Sequence, residues 1–207
     1  LSLVDKPDAR KQHQGSVPVV GGIAILFAYV LAVKARGISG NLNHAVLPVG
    51  LMLAVGVIDD MRPLSARFKL LMQLLAAWLL LRTSGFSLAN LPLPGMEGGI
   101  PLGFLALPVS ILVIVAVTNS INMADGADGL AGGYILVALL LLGAVSFQAG
   151  QGTVFLLIVG LVSALVGFLA CNARHPWLDR AKAFLCDAGA LGLCVLLFPL
   201  AILLSSG

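Results

Sequence analysis

Charged side chains are scarce in this 207-residue sequence, which has 12 Lys and Arg, 9 Asp and Glu, and only 10% charged residues in total. A soluble domain usually carries about 25% charged residues. Hydrophobic residues make up 59% of the chain, and the mean hydropathy is +1.06. The apolar stretches are too many and too long for one buried core. The composition therefore predicts an all-α, polytopic helical membrane protein, with a water-soluble helical bundle as the alternative.

Other familiar features are also missing from the sequence. No Walker A or GxGxxG pattern is present, so a bound nucleotide would be held by a metal and side chains rather than by a glycine-rich loop. The three cysteines, Cys171, Cys186 and Cys194, lack metal-ligand spacing and say little about the redox compartment. Because the chain has neither an initiator Met nor a signal-peptide pattern, we expect it to be an excerpt from a longer protein.

Seven apolar segments are candidates for membrane-spanning helices, which need roughly 17–25 residues. They are Val17–Val33, Ala45–Ile58, Phe68–Leu81, Gly103–Thr118, Leu130–Phe147, Thr153–Cys171 and Ala188–Ser205. The second and third are short, so we expect them to extend by about a turn into their flanks. We find no internal repeat and no soluble domain, and predict a single integral membrane domain of about seven spans.

The charges are distributed unevenly between the two sides that seven spans would create. One side holds residues 1–16, 59–67, 119–129 and 172–187, and with Lys69 it carries nine of the 12 basic residues. The positive-inside rule therefore predicts that this side is cytoplasmic. Eight of the nine acids lie on the same side, leaving Glu97 on the other. Because acids contribute little to orientation, we attribute this to a polar site at the cytoplasmic face.

The candidate site residues come from three separate stretches on that side. They are Asp59 and Asp60 in "VGVIDDMR", Asn119, Asn122, Asp125 and Asp128 in "NSINMADGADGL", and Asp187 in "FLCDAG". On a helix, residues three apart share a face, whereas neighbours point roughly 100° apart. Asp59 and Asp60 would therefore differ in role, one binding a metal and the other handling a proton.

Carboxylates without matching cations at a membrane edge repel one another and lose hydration energy. A Mg²⁺ ion relieves both costs, since it takes one or two carboxylates, keeps waters and binds phosphate oxygens. The basic residues nearby suit a phosphate-rich ligand; they are Arg67, Lys69, Arg180 and Lys182. The sequence thus favours a metal and phosphate site.

Each element also has an ordinary structural reading. The Asp59–Asp60 pair could be a solvated helix end, "DGADGL" a turn, and Asp187 a helix cap. The basic residues could be membrane anchors. What favours a site is that all of these features fall on one face.

Four stretches, in order, resemble the polyprenyl-phosphate N-acetylhexosamine-1-phosphate transferases, a membrane enzyme family that includes the phospho-MurNAc-pentapeptide translocase. They are "LVDKPDARKQHQGSVPVVGG", "VGVIDD" with "LSARFKLLMQ", "NSINMADGADGLAGG", and "CNARHPWLDRAKAFLCDAG", and they extend over residues 3 to 189. The resemblance implies transfer of a sugar 1-phosphate from a UDP-sugar to a polyprenyl phosphate, with release of UMP. It implies Mg²⁺, or Mn²⁺ in its place, an active site facing the cytoplasm from the plasma membrane, and no nucleic-acid partner. The opening motif resembles the branch that uses UDP-N-acetylglucosamine.

The resemblance also implies a role for each matched residue. Asp187 would be a metal ligand with Asp125 beside the metal, and Phe184 would stack on uracil. Three residues would line the nucleotide pocket, namely Asn122, Gly126 and Asp128. Asp59 would deprotonate the lipid phosphate, and Asp60 would support either Asp59 or the metal. Asp125 and Asp128 complete the candidate catalytic carboxylates. Lys69 and Lys182 would hold phosphates. Direct attack by the lipid phosphate and a two-step route through an aspartyl intermediate both remain open.

The sequence departs from the family pattern in two places near Asp187. Cys186 stands where the family usually has Gly, and Ala190 where Ser is common. The resemblance further implies one span before residue 1, and later spans with a His-rich loop after residue 207. The alternatives are an inactive or partial remnant of such an enzyme, and a transporter, which would bury its carboxylates near the middle of the membrane.

Overall fold

The computed structural model describes residues 4–5, 17–18, 20–35, 37, 42–93, 95–174 and 181–205. Most of these residues are helical. The helices are α1 (Gly21–Ala35), α2 (Asn43–Met61), α3 (Ala66–Ser84), α4 (Ala106–Ala124), α5 (Leu130–Gln148), α6 (Gly152–Asn172) and α7 (Cys186–Ser205). Two antiparallel two-stranded sheets accompany them, β1 (Val4–Asp5) with β2 (Val17–Pro18) and β3 (Asn90–Leu93) with β4 (Met96–Pro101).

Five of these helices are long and apolar enough to cross a membrane: α2, α4 with its preceding turn, α5, α6 and α7. The other two fall short for different reasons. α1 has only 15 residues, and α3 carries Arg67, Lys69 and Arg82 within its 19 residues. The protein is a helical membrane protein, and the prediction of seven spans is supported for five of them.

Two predicted boundaries are wrong. The first span was predicted from Val17, but α1 begins at Gly21, because residues 17–18 pair with residues 4–5 as extended strands. Val17 precedes a proline, which disfavours helical backbone at that position. The loop predicted over 119–129 is too long, since α4 continues to Ala124. Asn119 and Asn122 are therefore helical, whereas Asp125 and Asp128 lie in the turn before α5.

The sheet β3–β4 replaces a Pro- and Gly-rich segment that was expected only to interrupt the helices. Asn90 pairs with Pro101 and Leu93 with Met96, with an irregularity between Leu91 and Leu93. Gly95 has a φ of 83° in the connecting turn, a conformation that glycine adopts without strain. The hairpin joins α3 to α4 at the end of the bundle opposite Asp59, Asp60, Asp125 and Asp187.

Helix α7 lies at the centre of the bundle. Its buried side chains pack on one side against α1, α5 and α6, where Leu193 and Leu200 are fully enclosed. On another side Leu191 and Val195 pack against α2 and α3 through Met52 and Ala76. The remaining helices are thus arranged around α7.

Small residues let two helices approach the first turn of α7 at backbone contact. A Cβ placed on Gly22 of α1 would lie 2.1 Å from the Cα of Gly189. A Cβ on Gly56 of α2 would lie 2.4 Å from the Cα of Ala188. Because Asp60 follows Gly56 by one helical turn, this crossing brings its carboxylate to the start of α7. We call this end of the bundle, where α2, α4 and α6 finish and α3, α5 and α7 begin, the polar end.

Candidate functional site

The carboxylate of Asp60 caps α7 from another helix. It accepts hydrogen bonds from the backbone amides of Asp187 and Ala188, each at 3.1 Å. The first amides of a helix have no partner within the helix, and a negative charge there is favourable. Asp60 therefore fixes the position of the turn that carries Asp187.

Asp59, the neighbour of Asp60, points to a different set of partners. Its side chain is buried, and one oxygen accepts the amide of Leu64 at 2.6 Å. The other oxygen accepts from the Lys69 ammonium at 2.7 Å. The two neighbouring acids therefore have different contacts, and the division into a metal-binding and a proton-handling role stays a prediction.

The carboxylate of Asp187 is held on both of its oxygens. Lys69 donates to one at 3.3 Å, and the side-chain amide of Asn122 donates to the other in a short hydrogen bond. Lys69 thus bridges Asp59 and Asp187. Residues from α2, α3, α4 and α7 meet at this point, which we call the Asp187 cluster: Asp59, Lys69, Asn122 and Asp187.

Asp125 approaches the same cluster from the turn after α4. It accepts a hydrogen bond from the backbone amide of Cys186, which favours its charged form. Burial, with the nearby charges of Asp187 and Asp60, nevertheless raises the pKa of Asp125 to about 7. Four carboxylates therefore surround the start of α7, an excess of negative charge that suits a further cation.

Asp128 has a different partner from Asp125, three residues away. It accepts from the Arg174 guanidinium at 2.7 Å, in a pair whose arginine side chain is 72% exposed. Such an exposed ion pair contributes about 1 kcal/mol or less. Gly126, in the same turn, is exposed, and a Cβ there would meet nothing within 4 Å. The turn thus has one carboxylate at the cluster and one at its rim.

The segment before α7 supplies the last two predicted residues. The carbonyl of Phe184 accepts the amide of Gly21 at 3.1 Å, and its side chain is partly buried. Lys182 donates its backbone amide to Cys171 at 2.8 Å and leaves its side chain exposed at the polar end. Both residues therefore lie at the polar end, in the segment that leads into the first turn of α7.

Two contributors were missed at the level of sequence. Asn172, buried at the end of α6, accepts the amide of Gly129 and donates to the carbonyl of Ala183, each at 2.8 Å. It therefore ties the turn after α4 to the segment before α7. Gln73 of α3 bonds with Asn119 of α4. The available signal was an amide side chain at the edge of, or inside, an apolar run.

The donor set bears on whether a metal ion fits. Among the residues that the structure describes, no three His, Cys, Asp or Glu side chains are grouped closely enough to form a metal cage. Mg²⁺ rarely uses such a cage, because it typically takes one or two carboxylates together with substrate phosphates and water. Asp187 lies in the first turn of α7, and Asp125 accepts the amide of Cys186 beside it. This pair of carboxylates fits that type of site.

Residues 42–205 match the sequence profile of glycosyl transferase family 4. The chain belongs to this family. It is 34% identical over 193 residues to the probable undecaprenyl-phosphate N-acetylglucosaminyl 1-phosphate transferase of Bacillus subtilis (strain 168). The aligned region covers 92% of this chain and 52% of the relative. The resemblance inferred from the four motifs is confirmed.

Other relatives come from both branches of the family. The undecaprenyl-phosphate alpha-N-acetylglucosaminyl 1-phosphate transferase of Yersinia pestis is 29% identical over 197 residues, 92% of this chain and 52% of the relative. The phospho-N-acetylmuramoyl-pentapeptide-transferase of Trichormus variabilis is 33% identical over 219 residues, 98% of this chain and 57% of the relative. The chain spans about half the length of these curated relatives.

Proposed function

We propose that the protein transfers N-acetylhexosamine 1-phosphate, with N-acetylglucosamine as the first choice of sugar, from a UDP-sugar to a polyprenyl phosphate. The reaction would take place at the cytoplasmic face of the plasma membrane. The observation that carries the proposal is the Asp187 cluster, in which Lys69 bridges Asp59 and Asp187 at the polar end of the bundle. Family membership supplies the reaction class.

The location of the cluster suits two substrates from different phases. A UDP-sugar arrives from water, whereas a polyprenyl phosphate arrives from the lipid. A site at the ends of spanning helices is open to both, because its polar groups lie where the apolar stretches stop. The same location argues against a transporter, whose carboxylates are expected near the middle of the membrane.

In the proposed reaction an oxygen of the lipid phosphate attacks the phosphorus that bears the sugar. The bond between the two phosphates of the UDP-sugar breaks, and UMP leaves with its electron pair. Asp59 would accept the proton of the lipid phosphate, and Lys69 would pass from its carboxylate partners to phosphate oxygens. Phosphoryl transfer depends mainly on positioning and on neutralising charge, which these residues can provide.

Mg²⁺, or Mn²⁺ in its place, would be held by Asp187 and Asp125. When bound, it would neutralise the charge that develops on the diphosphate. Asp60 would act by holding the first turn of α7 and so the direction of Asp187. For the nucleotide, we keep Asn122, Gly126, Asp128 and Phe184 as the proposed pocket, and Lys182 as a second phosphate contact.

The direct test measures release of UMP from UDP-N-acetylglucosamine by membranes that contain the full gene product, a polyprenyl phosphate and Mg²⁺. Asp187→Asn keeps the shape of the side chain but removes charge, and should lower the rate at least about a hundredfold. Asp59→Asn should come close to this loss. Ser120→Ala is the matched control, because Ser120 is exposed and its hydroxyl bonds to the carbonyl of Ala116 in its own helix. Full activity of Asp187→Asn would refute the assignment of Asp187 as a metal ligand. An inactive wild type would favour the alternative, an inactive remnant of such an enzyme.

The proposed orientation can be tested separately. Ala66 and Ser87 are exposed residues near the two ends of α3. A cysteine at position 66 should be protected from a membrane-impermeant thiol reagent in intact cells, whereas one at position 87 should react. Cys171, which is exposed, should first be replaced by serine. The opposite labelling pattern would contradict the cytoplasmic assignment of the polar end.

A further inference from the structure

Below the Asp187 cluster, α3 and α4 are joined by a second polar contact that the proposed reaction does not use. Gln73 donates to the side-chain oxygen of Asn119 at 3.3 Å, and Asn119 donates back to the oxygen of Gln73 at 2.7 Å. The other amide hydrogen of Asn119 has a partner in the carbonyl of Val115 at 3.2 Å. Gln73 is only 3% exposed. We call this contact the amide pair.

The surroundings of the amide pair are apolar. Ala76 and Ala77, in the next turn of α3, are fully buried, and Ala77 packs in the same cluster as Val115 of α4. An amide without a partner in such a place costs several kcal/mol, whereas a satisfied pair between membrane helices contributes about 0.6–2 kcal/mol. The pair is thus a modest source of stability but strongly disfavours any arrangement that separates the two amides.

The spacing along both helices links the amide pair to the Asp187 cluster. Lys69 precedes Gln73 by four residues on α3, and Asn122 follows Asn119 by three on α4. Each helix therefore presents its cluster residue about one turn above its member of the amide pair. Lys69 and Asn122 hold the two oxygens of the same carboxylate, that of Asp187.

We propose that Gln73 and Asn119 are positioning residues, which fix the axial register of α3 against α4 so that Lys69 and Asn122 together orient Asp187. A slip of one residue would displace one helix by about 1.5 Å, more than the roughly 0.5 Å tolerance of a catalytic arrangement. The amide pair would be broken by such a slip. The role of the amide pair in catalysis rests on the proposed function. The effect of the amide pair on the orientation of Asp187 does not depend on that function.

The test uses two variants that remove one amide each, Gln73→Leu and Asn119→Leu, and one that exchanges them, Gln73→Asn with Asn119→Gln. The first readout is binding of Mn²⁺ alone to the purified full gene product, followed by loss of the free-ion electron paramagnetic resonance signal. The second is the rate of UMP release, divided into kcat and KM. Thermal unfolding of each variant is measured alongside.

Each leucine variant should weaken Mn²⁺ binding and lower kcat by about tenfold or more, because misplacement by an ångström is sufficient for such losses. The exchanged pair keeps both amides and their combined length, and should recover most of both readouts. Thr118→Val is the matched control, since the hydroxyl of the buried Thr118 bonds to the carbonyl of Ile114 in its own helix. It should leave both readouts unchanged.

Two results would overturn the inference. One is a leucine variant that folds with unaltered Mn²⁺ affinity and kcat. The other is an exchanged pair that regains thermal stability but neither Mn²⁺ affinity nor kcat, which would mark the amides as structural only. If the wild type binds Mn²⁺ but releases no UMP, the proposed function fails, and the Mn²⁺ readout still decides the positioning role.

Discussion

Helices α4 and α7 are alike in sequence and opposite in environment. Both are apolar stretches of about span length, yet 72% of the stretch in α7 is buried against 22% in α4. α7 is surrounded by other helices, whereas α4 exposes Leu112 and Val113 along one side. Hydropathy cannot separate the two, because lipid and a protein interior are equally apolar solvents for leucine.

What distinguishes α7 is the size of its first side chains. Ala188, Gly189, Ala190 and Gly192 allow neighbouring backbones to come close, as small residues do at helix contacts in membranes. In α4 most of the polar residues lie in the last two turns, and the earlier turns carry mainly bulky apolar side chains. The comparison suggests that α7 is built to be surrounded at the site, and α4 to support it from one side.

The largest expected effect tests burial directly. Leu193→Ala in α7 removes a fully buried side chain and should lower the free energy of unfolding by about 2–5 kcal/mol. Leu112→Ala in α4 removes a side chain that is 66% exposed, and should change the free energy of unfolding by less than about 0.5 kcal/mol. The measurement is unfolding in mixed micelles with increasing SDS. Equal losses of unfolding free energy in the two variants would show that Leu112 is covered by protein, and would contradict the difference in environment between α4 and α7.

The second prediction concerns the helix crossing at the start of α7. Gly56→Ala places a Cβ 2.4 Å from the Cα of Ala188, so the helices must separate, at a cost of about 1–3 kcal/mol. Gly50→Ala in the same helix meets nothing within 4 Å and should be neutral or slightly stabilising. The same unfolding assay compares the pair. If both variants behave alike, close backbone approach is not what places α2 on α7.

The smallest effect concerns Cys186, a residue with a side chain at a backbone conformation that favours glycine. Its φ is 58°, in the left-handed region that costs a residue with a Cβ about 1–2 kcal/mol. Cys186→Gly removes that cost but adds chain entropy to the unfolded state, so a net stabilisation of about 1 kcal/mol or less is expected. Cys186→Ala keeps the Cβ and should show no gain. A loss of stability in the glycine variant would mean that the cysteine side chain supplies a compensating contact.

The helices could be located from sequence because their limits are chemical. Apolar runs end at Gly, Pro or charged residues, and the predicted extension of the second and third segments is confirmed by α2 and α3. The start of α1 and the end of α4 could not be located in this way. In sequence, a polar residue such as Asn122 after an apolar run predicts a loop. In the structure it is helical because its side chain bonds to Asp187 of another helix, 65 residues away in the chain.

For the candidate site as well, some features could be predicted from the sequence and others could not. An imbalance of charge between alternate loops was enough to predict that Asp59, Asp125 and Asp187 lie at one end of the bundle. The hydrogen-bond partners of these residues could not be predicted from the sequence; examples are Arg174 for Asp128 and the α7 amides for Asp60. These contacts depend on how closely the helices cross.

By itself the sequence determined that this is a helical membrane protein of the glycosyl transferase family 4 type, with the aspartates of its candidate site gathered at one end. Apolar length and the positions of charge are local properties, and they are sufficient for those conclusions. Only the tertiary structure decided that α7 lies at the centre, that Asp60 caps it, and that Lys69 and Asn122 hold Asp187. The physical reason is that these facts depend on angles and distances between helices, which are set by packing of small and large side chains from all parts of the chain.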